Sequence, residues 1–313
     1  MPRVLALRLL LVLTISGCSA LPQAPFGEWE APMYRQHSLV GTVWNTREDK
    51  SIDAELLLQR LSEARFVILG EKHDNPDHHS LQRFVLLQIA ARTSLDSVSF
   101  EMLDSSQQIA VDSLRPANIS SREELRNALS WDEQGWDWAF YGPIIQDSLL
   151  SGAAVRSANI SSDEMRAVYA AQSYSATEGI LGDSQVQRLH QEIDESHCGM
   201  LPESQFPAMV AVQQARDAAM AQSLLGDGVG FNGVRVLLAG NFHARRDLGV
   251  PNYVGPEHGE LITVAFLEVS PESEQVQEYL ESFSATTPYD YVWFTPALPA
   301  QDYCASLRSG AAQ

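Results

Sequence analysis

Short, mostly apolar runs alternate along the chain with segments whose apolar residues recur at helical spacing. The runs predict strands, and several are continuous enough to be buried on both faces: residues 39–44, 66–69, 97–100, 154–159, 234–239, 261–269 and 291–294. Helical spacing at residues 52–65 and 79–92 separates the early strands. This β-α-β-α-β order predicts an α/β fold with a mainly parallel central sheet flanked by helices.

The segment at about residues 160–228 has no strand pattern. Ser161 and Glu164 form a capping pair for one helix, and apolar spacing predicts two more helices over residues 183–196 and 202–225. Predicted strands lie on both sides of this segment. We therefore expect a smaller helical insertion lobe that covers a pocket in the sheet domain.

Ionisable side chains follow three of the predicted strands. Two strands end in a glycine that a histidine follows three residues later, at His73 and at His243. Glu71 lies within the first of these motifs, and Glu101 ends a third strand. In open α/β sheets functional groups lie just beyond the carboxyl ends of the strands, so these side chains are predicted to converge on one pocket.

Two imidazoles and two carboxylates suit two kinds of chemistry. A divalent metal such as zinc, manganese or cobalt would lower the pKa of a bound water and make a hydrolase, with four candidate ligands and catalytic residues: Glu71, His73, Glu101 and His243. Without a metal, the same groups could act as general acid and base. His78 and His79, at the start of the next helix, are predicted to be exposed.

Further candidate ligand contacts lie near these motifs. Arg245 and Arg246 place two positive charges beside the second histidine, which suits a carboxylate or phosphate group of a ligand. The segment at residues 131–143 contains five aromatic residues, which are predicted to pack mainly in the core. Tyr141 is the exception, because its phenol is a candidate hydrogen-bond donor or iron ligand.

The overall charge excludes one class of partner. The chain has 313 residues and a formal net charge of −19. A chain this acidic repels nucleic acid, so a nucleic-acid-binding function is excluded.

Residues 1–17 have the pattern of a cleaved leader. Arg3 and Arg8 precede a short apolar run, and small residues stand just before Cys18. The pattern resembles a bacterial lipobox, which implies cleavage before Cys18 and acylation of that residue, for example with palmitate; an ordinary signal peptide is the alternative. Ser19, by resemblance to Gram-negative sorting signals, implies a lipid anchor in the outer membrane.

The composition of the rest of the chain predicts where the domain begins and ends. Residues 18–37 are rich in proline and aperiodic, which predicts a tether. After this tether we predict one domain over residues 38–300 and a tail over residues 301–313. Cys198 and Cys304 are a candidate disulfide in an oxidising compartment, where they either pair or remain free thiols.

Several motifs occur in an order that resembles the ChaN family of haem-binding lipoproteins. This family belongs to the Tiki superfamily, together with TraB-like proteins and erythromycin-esterase-like enzymes. The resemblance spans roughly residues 38–297 and rests on six segments: residues 69–75, 100–102, 136–143, 197–202, 216–220 and 239–251.

The resemblance implies an outer-membrane haem-binding protein that takes part in haem and iron uptake. It also implies homodimerisation on haem binding and an outer-membrane haem receptor as a partner. Tyr141 and His243 are the implied iron-side residues, and Arg245 or Arg246 the implied partners of the haem propionates. Phe242 stands where relatives are expected to carry a small residue, so its ring either narrows the pocket or stacks on a porphyrin.

The superfamily also implies a rival function. Tiki-type peptidases use two such histidine motifs and an added carboxylate as a metal site, which on this chain correspond to His73, His243 and either Glu71 or Glu101. Haem binding remains the leading hypothesis, and a metal-dependent hydrolase, peptidase or esterase, is the alternative.

Overall fold

The computed structural model describes residues 29–119, 121–226, 232–281, 283 and 287–305. The predicted leader at residues 1–17, the candidate acylation site Cys18, most of the predicted tether and residues 306–313 of the tail lie outside the described residues.

The described strands form one eight-stranded sheet in the order β2-β1-β8-β7-β3-β6-β4-β5. The strands are β1 (Val43–Asn45), β2 (Lys50–Ile52), β3 (Phe66–Glu71), β4 (Leu95–Asp104), β5 (Ala154–Asn159), β6 (Val234–Gly240), β7 (Leu261–Glu268) and β8 (Tyr291–Thr295). β1 pairs antiparallel with β2 and β8, and every other pairing is parallel. The predicted α/β fold with a mainly parallel sheet is confirmed.

The two strands that carry the histidine motifs are neighbours at the centre of the sheet. β3 and β6 are buried along their whole length, which explains their continuous apolar sequences. Their parallel register places Glu71 beside Gly240. The two histidine motifs, which are far apart in the sequence, therefore lie at one edge of the sheet.

Helices cover both faces of the sheet. They are α1 (Ala54–Glu63), α2 (Pro76–Arg92), α3 (Gln108–Ser113), α4 (Arg122–Ala128), α5 (Trp138–Leu150), α6 (Ser162–Ala171), α7 (Asp183–Ser196), α8 (Phe206–Leu225) and α9 (Val276–Glu281). Apolar side chains of α1, α2 and α5 form the core on one face. α8 packs on β4, β5 and β6 on the other face, where Met220 and Leu224 are fully buried.

The predicted helical lobe consists of α6, α7 and α8 between β5 and β6. Two apolar clusters hold it together, one around Leu189 and Phe206 and one around Val212 and Ala215. None of the helices in the described part of the chain combines the length and apolar character needed to cross a membrane.

The domain begins earlier than the predicted boundary at residue 38. Ala31 is fully buried, and the backbone N–H groups of Glu30 and Ala31 donate to the Asp77 carboxylate at 2.8 and 3.0 Å. Met33 pairs with Ala297. Residues 30–33 are therefore attached to the domain, because two of their N–H groups satisfy the buried Asp77 carboxylate and Met33 pairs with Ala297.

The candidate disulfide is present. Cys198 and Cys304 are bonded with a Cα–Cα distance of 5.8 Å, which joins the loop after α7 to the C-terminal tail. The tail is also held by Tyr303, whose hydroxyl donates to Asp74 at 2.9 Å. The tail thus runs from the sheet domain to the helical lobe.

Candidate functional site

Glu71 is the centre of a buried polar cluster at the carboxyl end of β3. Its carboxylate accepts a hydrogen bond from Tyr141 Oη at 2.6 Å and lies 2.9 Å from His73 Nδ1 and 3.0 Å from His79 Nδ1. Burial raises the pKa of Glu71, but the positive charges of His79 and His73 outweigh burial and hold the pKa well below its usual value. Glu71 is therefore an ionised carboxylate that orients three neighbours.

His78 and His79 are buried, so the prediction that both are exposed is wrong. α2 begins directly over the end of β3 and turns both rings inward. His79 Nε2 donates to the His73 carbonyl at 2.9 Å, and its other nitrogen faces Glu71. His78 accepts from the Lys72 N–H at 2.8 Å, and burial lowers its pKa to about 3. Burial lowers the pKa of His79, but the Glu71 carboxylate outweighs burial and raises it, which favours the charged form. His78, by contrast, is a neutral structural residue.

His73 is the exposed imidazole of the cluster, with 41% of its side chain accessible. Its Nδ1 is held by Glu71, and no hydrogen bond to its Nε2 occurs within the described part of the chain. Nε2 lies over Gly240, where an added Cβ would be only 2.9 Å away. The ring also contacts Trp136 edge to face, with centroids 4.9 Å apart.

His243 is held between two buried carboxylates. Its Nδ1 lies 2.6 Å from Asp217 Oδ1, and its Nε2 lies 3.4 Å from Glu101 Oε1. Burial lowers the pKa of His243, but Glu101 and Asp217 outweigh this effect and raise it to about 10. Burial conversely raises the pKa of Glu101, yet His243 and the Gly240 N–H, at 2.8 Å, lower it to about 2. His243 is thus a buried imidazolium.

Asp217 was not among the predicted site residues, although it lies in the segment at residues 216–220 that contributes to the family resemblance. It lies on α8 and is fully buried, on the same face of the helix as the buried apolar residues Ala221 and Leu224, four and seven residues further on. Its position among the apolar residues of a helix could have indicated a site residue, because a buried carboxylate requires a charged partner.

Arg245 and Arg246 do not face the candidate site, which corrects their predicted role as ligand contacts. Arg245 is 2% exposed and pairs with Glu192 at 2.8 Å and Asp247 at 2.6 Å. Arg246 Nε donates to Asp290 at 2.7 Å. Both guanidinium groups are engaged in ion pairs that hold the loop after β6 to its surroundings.

The four predicted metal ligands do not form a metal site. Among the residues that the structure describes, no three His, Cys, Asp or Glu side chains converge in a geometry that could hold a metal ion. The reason is that both nitrogens of His243 face carboxylates, and the Glu71 oxygens are directed at Tyr141 and two histidines.

An open cleft of about 420 Å³ lies at the carboxyl ends of β3, β6 and β7. Its polar lining includes Lys72, His73, Asn241, His243 and Glu268. Phe242 and Leu267, which are half-buried, form its apolar surface. Haem needs an apolar surface for its ring and a lone pair for its iron. Burial lowers the pKa of His73, but the carboxylates of Glu71 and Glu101 outweigh burial and raise it. The cleft would meet both requirements once His73 Nε2 gives up its proton, because that nitrogen has no hydrogen bond within the described part of the chain and lies beside these apolar side chains.

Tyr141 and His243 fit the iron less well than His73 does. Tyr141 is 1% exposed, and burial together with the charge of Glu71 raises the pKa of its phenol, which disfavours the tyrosinate that binds iron. His243 is 6% exposed and has both nitrogens paired.

Comparisons with known proteins identify the family of this chain. Residues 57–254 match the family model described as haem-binding uptake, Tiki superfamily, ChaN. ChaN of Campylobacter jejuni, in a structure of cofacial haem binding, is 25% identical, with a TM-score of 0.65 over 80% of this chain and 95% of that chain.

Two further structures are less similar to this chain. An erythromycin esterase mutant in its open conformation is 13% identical over 80% of this chain and 95% of that chain, with a TM-score of 0.46. A Bacillus cereus protein is 11% identical over 68% of each chain, with a TM-score of 0.38. Both similarities are too low for a functional conclusion. No curated protein matches the chain. The family match covers more than half of the sequence, and the chain therefore belongs to the ChaN family of haem-binding uptake proteins in the Tiki superfamily.

Proposed function

We propose that this protein binds haem in the cleft at the carboxyl ends of β3, β6 and β7 and takes part in haem uptake. The observation that carries the proposal is the geometry of His73, an exposed imidazole with an unbonded Nε2 and with Nδ1 held by a buried carboxylate. Family membership and the bound haem of the Campylobacter jejuni relative support the choice of ligand.

The pairing of Glu71 with His73 suits a ligand of iron. A histidine that binds a metal commonly donates its second ring N–H to a carboxylate, which fixes the tautomer and makes the ring a stronger donor. Glu71 is itself fixed by Tyr141 and His79, so the position of His73 is set before any ligand arrives. In this proposal His73 faces the iron, and Tyr141 positions Glu71.

The cellular setting belongs to the same proposal. Acylation of Cys18 would anchor the protein in the outer membrane of a Gram-negative envelope, where a haem receptor is the natural source of ligand. Haem groups bound face to face in the relative support a homodimer that forms on haem binding.

Titration of the purified chain with haemin, followed by the Soret band, tests the proposal. Wild type is expected to bind haemin saturably, and His73→Ala is expected to weaken binding and change the spectrum, since it removes the iron-facing nitrogen. Tyr141→Phe is the matched control within the cluster, because it removes one hydrogen bond to Glu71 but leaves His73 in place.

Two outcomes would contradict the proposal. A folded wild type that binds no haemin would overturn haem binding. A spectrum that changes in Tyr141→Phe but not in His73→Ala would assign the iron to the tyrosine instead. Stoichiometric zinc, manganese or cobalt in the purified protein, with hydrolysis of a peptide or ester, would favour the alternative metal-dependent hydrolase.

A further inference from the structure

Phe242 forms an aromatic wall of the cleft. It lies two residues after the end of β6, is half-buried, and lines the cleft together with Leu267. The cleft therefore has an apolar side that is chemically distinct from the polar side that includes His73 and His243.

The Phe242 ring is held in place from the side of the helical lobe. It packs against a buried cluster whose members are Leu181, Leu189, Ile193, Phe206 and Leu248. The Arg245 guanidinium lies 5.4 Å from the ring centroid and is fixed by Glu192 and Asp247. Because these contacts exist before a ligand binds, stacking on this ring loses little side-chain entropy.

We infer that the cleft recognises the porphyrin ring itself through Phe242, and that it accepts porphyrins whatever metal they carry, including none. This inference rests on the proposed function, because it concerns the same cleft. Different side chains contact the porphyrin ring and the metal. The face of Phe242 contacts the flat apolar macrocycle, whereas His73 Nε2 contacts only the central metal. Losing the metal removes one of these contacts and leaves the other.

Parallel titrations of the purified chain with haemin and with metal-free protoporphyrin IX test the inference. Wild type is expected to bind both ligands saturably. Phe242→Ala is expected to raise both dissociation constants about tenfold, whereas Phe242→Tyr, which keeps the aromatic face, retains wild-type affinity. His73→Ala is expected to weaken the binding of haemin and leave that of protoporphyrin IX unchanged.

Phe283→Ala is the matched control. The Phe283 ring lies 5.3 Å from the Arg245 guanidinium and does not line the cleft. Its removal takes away one contact of Arg245, which Glu192 and Asp247 still hold, and leaves the Phe242 wall in place. Its affinities are expected to equal those of wild type, and thermal unfolding confirms that each variant is folded.

The outcomes separate this inference from the proposed function. Wild type that binds haemin but not protoporphyrin IX would overturn the inference and leave haem binding intact. Equal losses in Phe242→Ala and Phe283→Ala would also overturn it, because the effect would then come from Arg245. Wild type that binds no haemin would overturn the proposed function itself.

Discussion

His243 is a buried cation whose charge depends on two buried partners. Asp217 and Glu101 face its two nitrogens, and all three side chains are at least 94% shielded from solvent. An isolated charge in such a place is strongly unfavourable, whereas a paired one is tolerated. The charge state of this triad therefore contributes to the stability of the fold as well as to the polar surface of the cleft.

The first prediction concerns the pH dependence of stability. The pKa of His243 is raised to about 10 in the folded protein, above its value of about 6.5 in an unfolded chain. The stabilisation is therefore complete below about pH 6.5 and is lost as the pH rises through about 10. Urea unfolding across this range is expected to show a falling free energy of unfolding.

His243→Gln identifies the source of this decline. The variant is expected to be less stable by about 3–5 kcal/mol near neutral pH, because two buried carboxylates lose their cation. It is also expected to show a flatter decline toward alkaline pH. An unchanged slope in the variant would assign the effect to other groups.

Some site residues could be predicted from the sequence and others could not. Glu71, His73, Glu101 and His243 were identifiable because strand ends concentrate chemistry in α/β folds. Their partners were not, since burial of His79 and Asp217 depends on which carboxylate or imidazole the tertiary packing brings near. A side chain on a helix shows its spacing in the sequence but not the group that it faces.

At the scale of elements, the register between β3 and β6 creates the space that His73 occupies. Gly240 pairs with Glu71 across the two strands and leaves room for the imidazole above its backbone. The glycine is required by this close approach, because any side chain would project toward the His73 ring.

The second prediction follows from this close approach. Gly240→Ala places a Cβ 2.9 Å from His73 Nε2, at the free end of a side chain that can rotate away. The fold is therefore expected to survive, while displacement of the ring weakens haemin binding about tenfold.

Gly182→Ala provides the comparison for this variant. Its added Cβ would meet Gln185 Oε1 at 3.8 Å, an ordinary contact, and Gly182 precedes α7 away from the cleft lining. Haemin titration is expected to separate the two variants, and equal affinities would show that the space above Gly240 is unimportant.

The predicted helices and strands largely match those of the structure, and the differences between them lie at the ends of the elements. The first strand was expected over residues 39–44, but β1 spans Val43–Asn45, because turns occupy the preceding residues. The helix expected from residue 202 begins at Phe206, after a short 3-10 turn. Local sequence favours an element in each case, whereas its limits are set by hydrogen bonds to distant parts of the chain.

At the scale of the whole molecule, the disulfide joins regions that the sheet alone does not connect. Cys198 and Cys304 are separated by 106 residues, and the tail around Cys304 is largely exposed. Tyr303 is 53% exposed despite its hydrogen bond to Asp74. The bond therefore supplies much of the attachment of the tail to the helical lobe.

The third prediction concerns this bond. Cys304→Ser is expected to lower the free energy of unfolding by about 2–4 kcal/mol, because the unfolded chain regains freedom that a long covalent loop removes. Limited proteolysis is expected to cleave the variant near its C-terminus before wild type. A reducing agent is expected to destabilise wild type and leave the variant unchanged; equal sensitivity of both proteins would contradict this account.

The domain boundary was the largest difference at this scale. Composition favours a tether up to residue 37, but the burial of Ala31 depends on Asp77 and cannot be read from a proline-rich segment. The helical lobe, by contrast, could be predicted, because a long segment without strand patterns between two buried strands leaves few other arrangements.

The early start of the domain also bears on the distance between the cleft and a membrane anchor. Glu30 and Ala31 donate hydrogen bonds to Asp77 in the first turn of α2, so the N-terminal segment enters the domain at the same edge of the sheet as the cleft. Glu30 follows Cys18 by twelve residues, a reach of at most about 40 Å. If Cys18 is acylated as proposed, these twelve residues would keep the edge of the sheet that carries the cleft within about 40 Å of the bilayer.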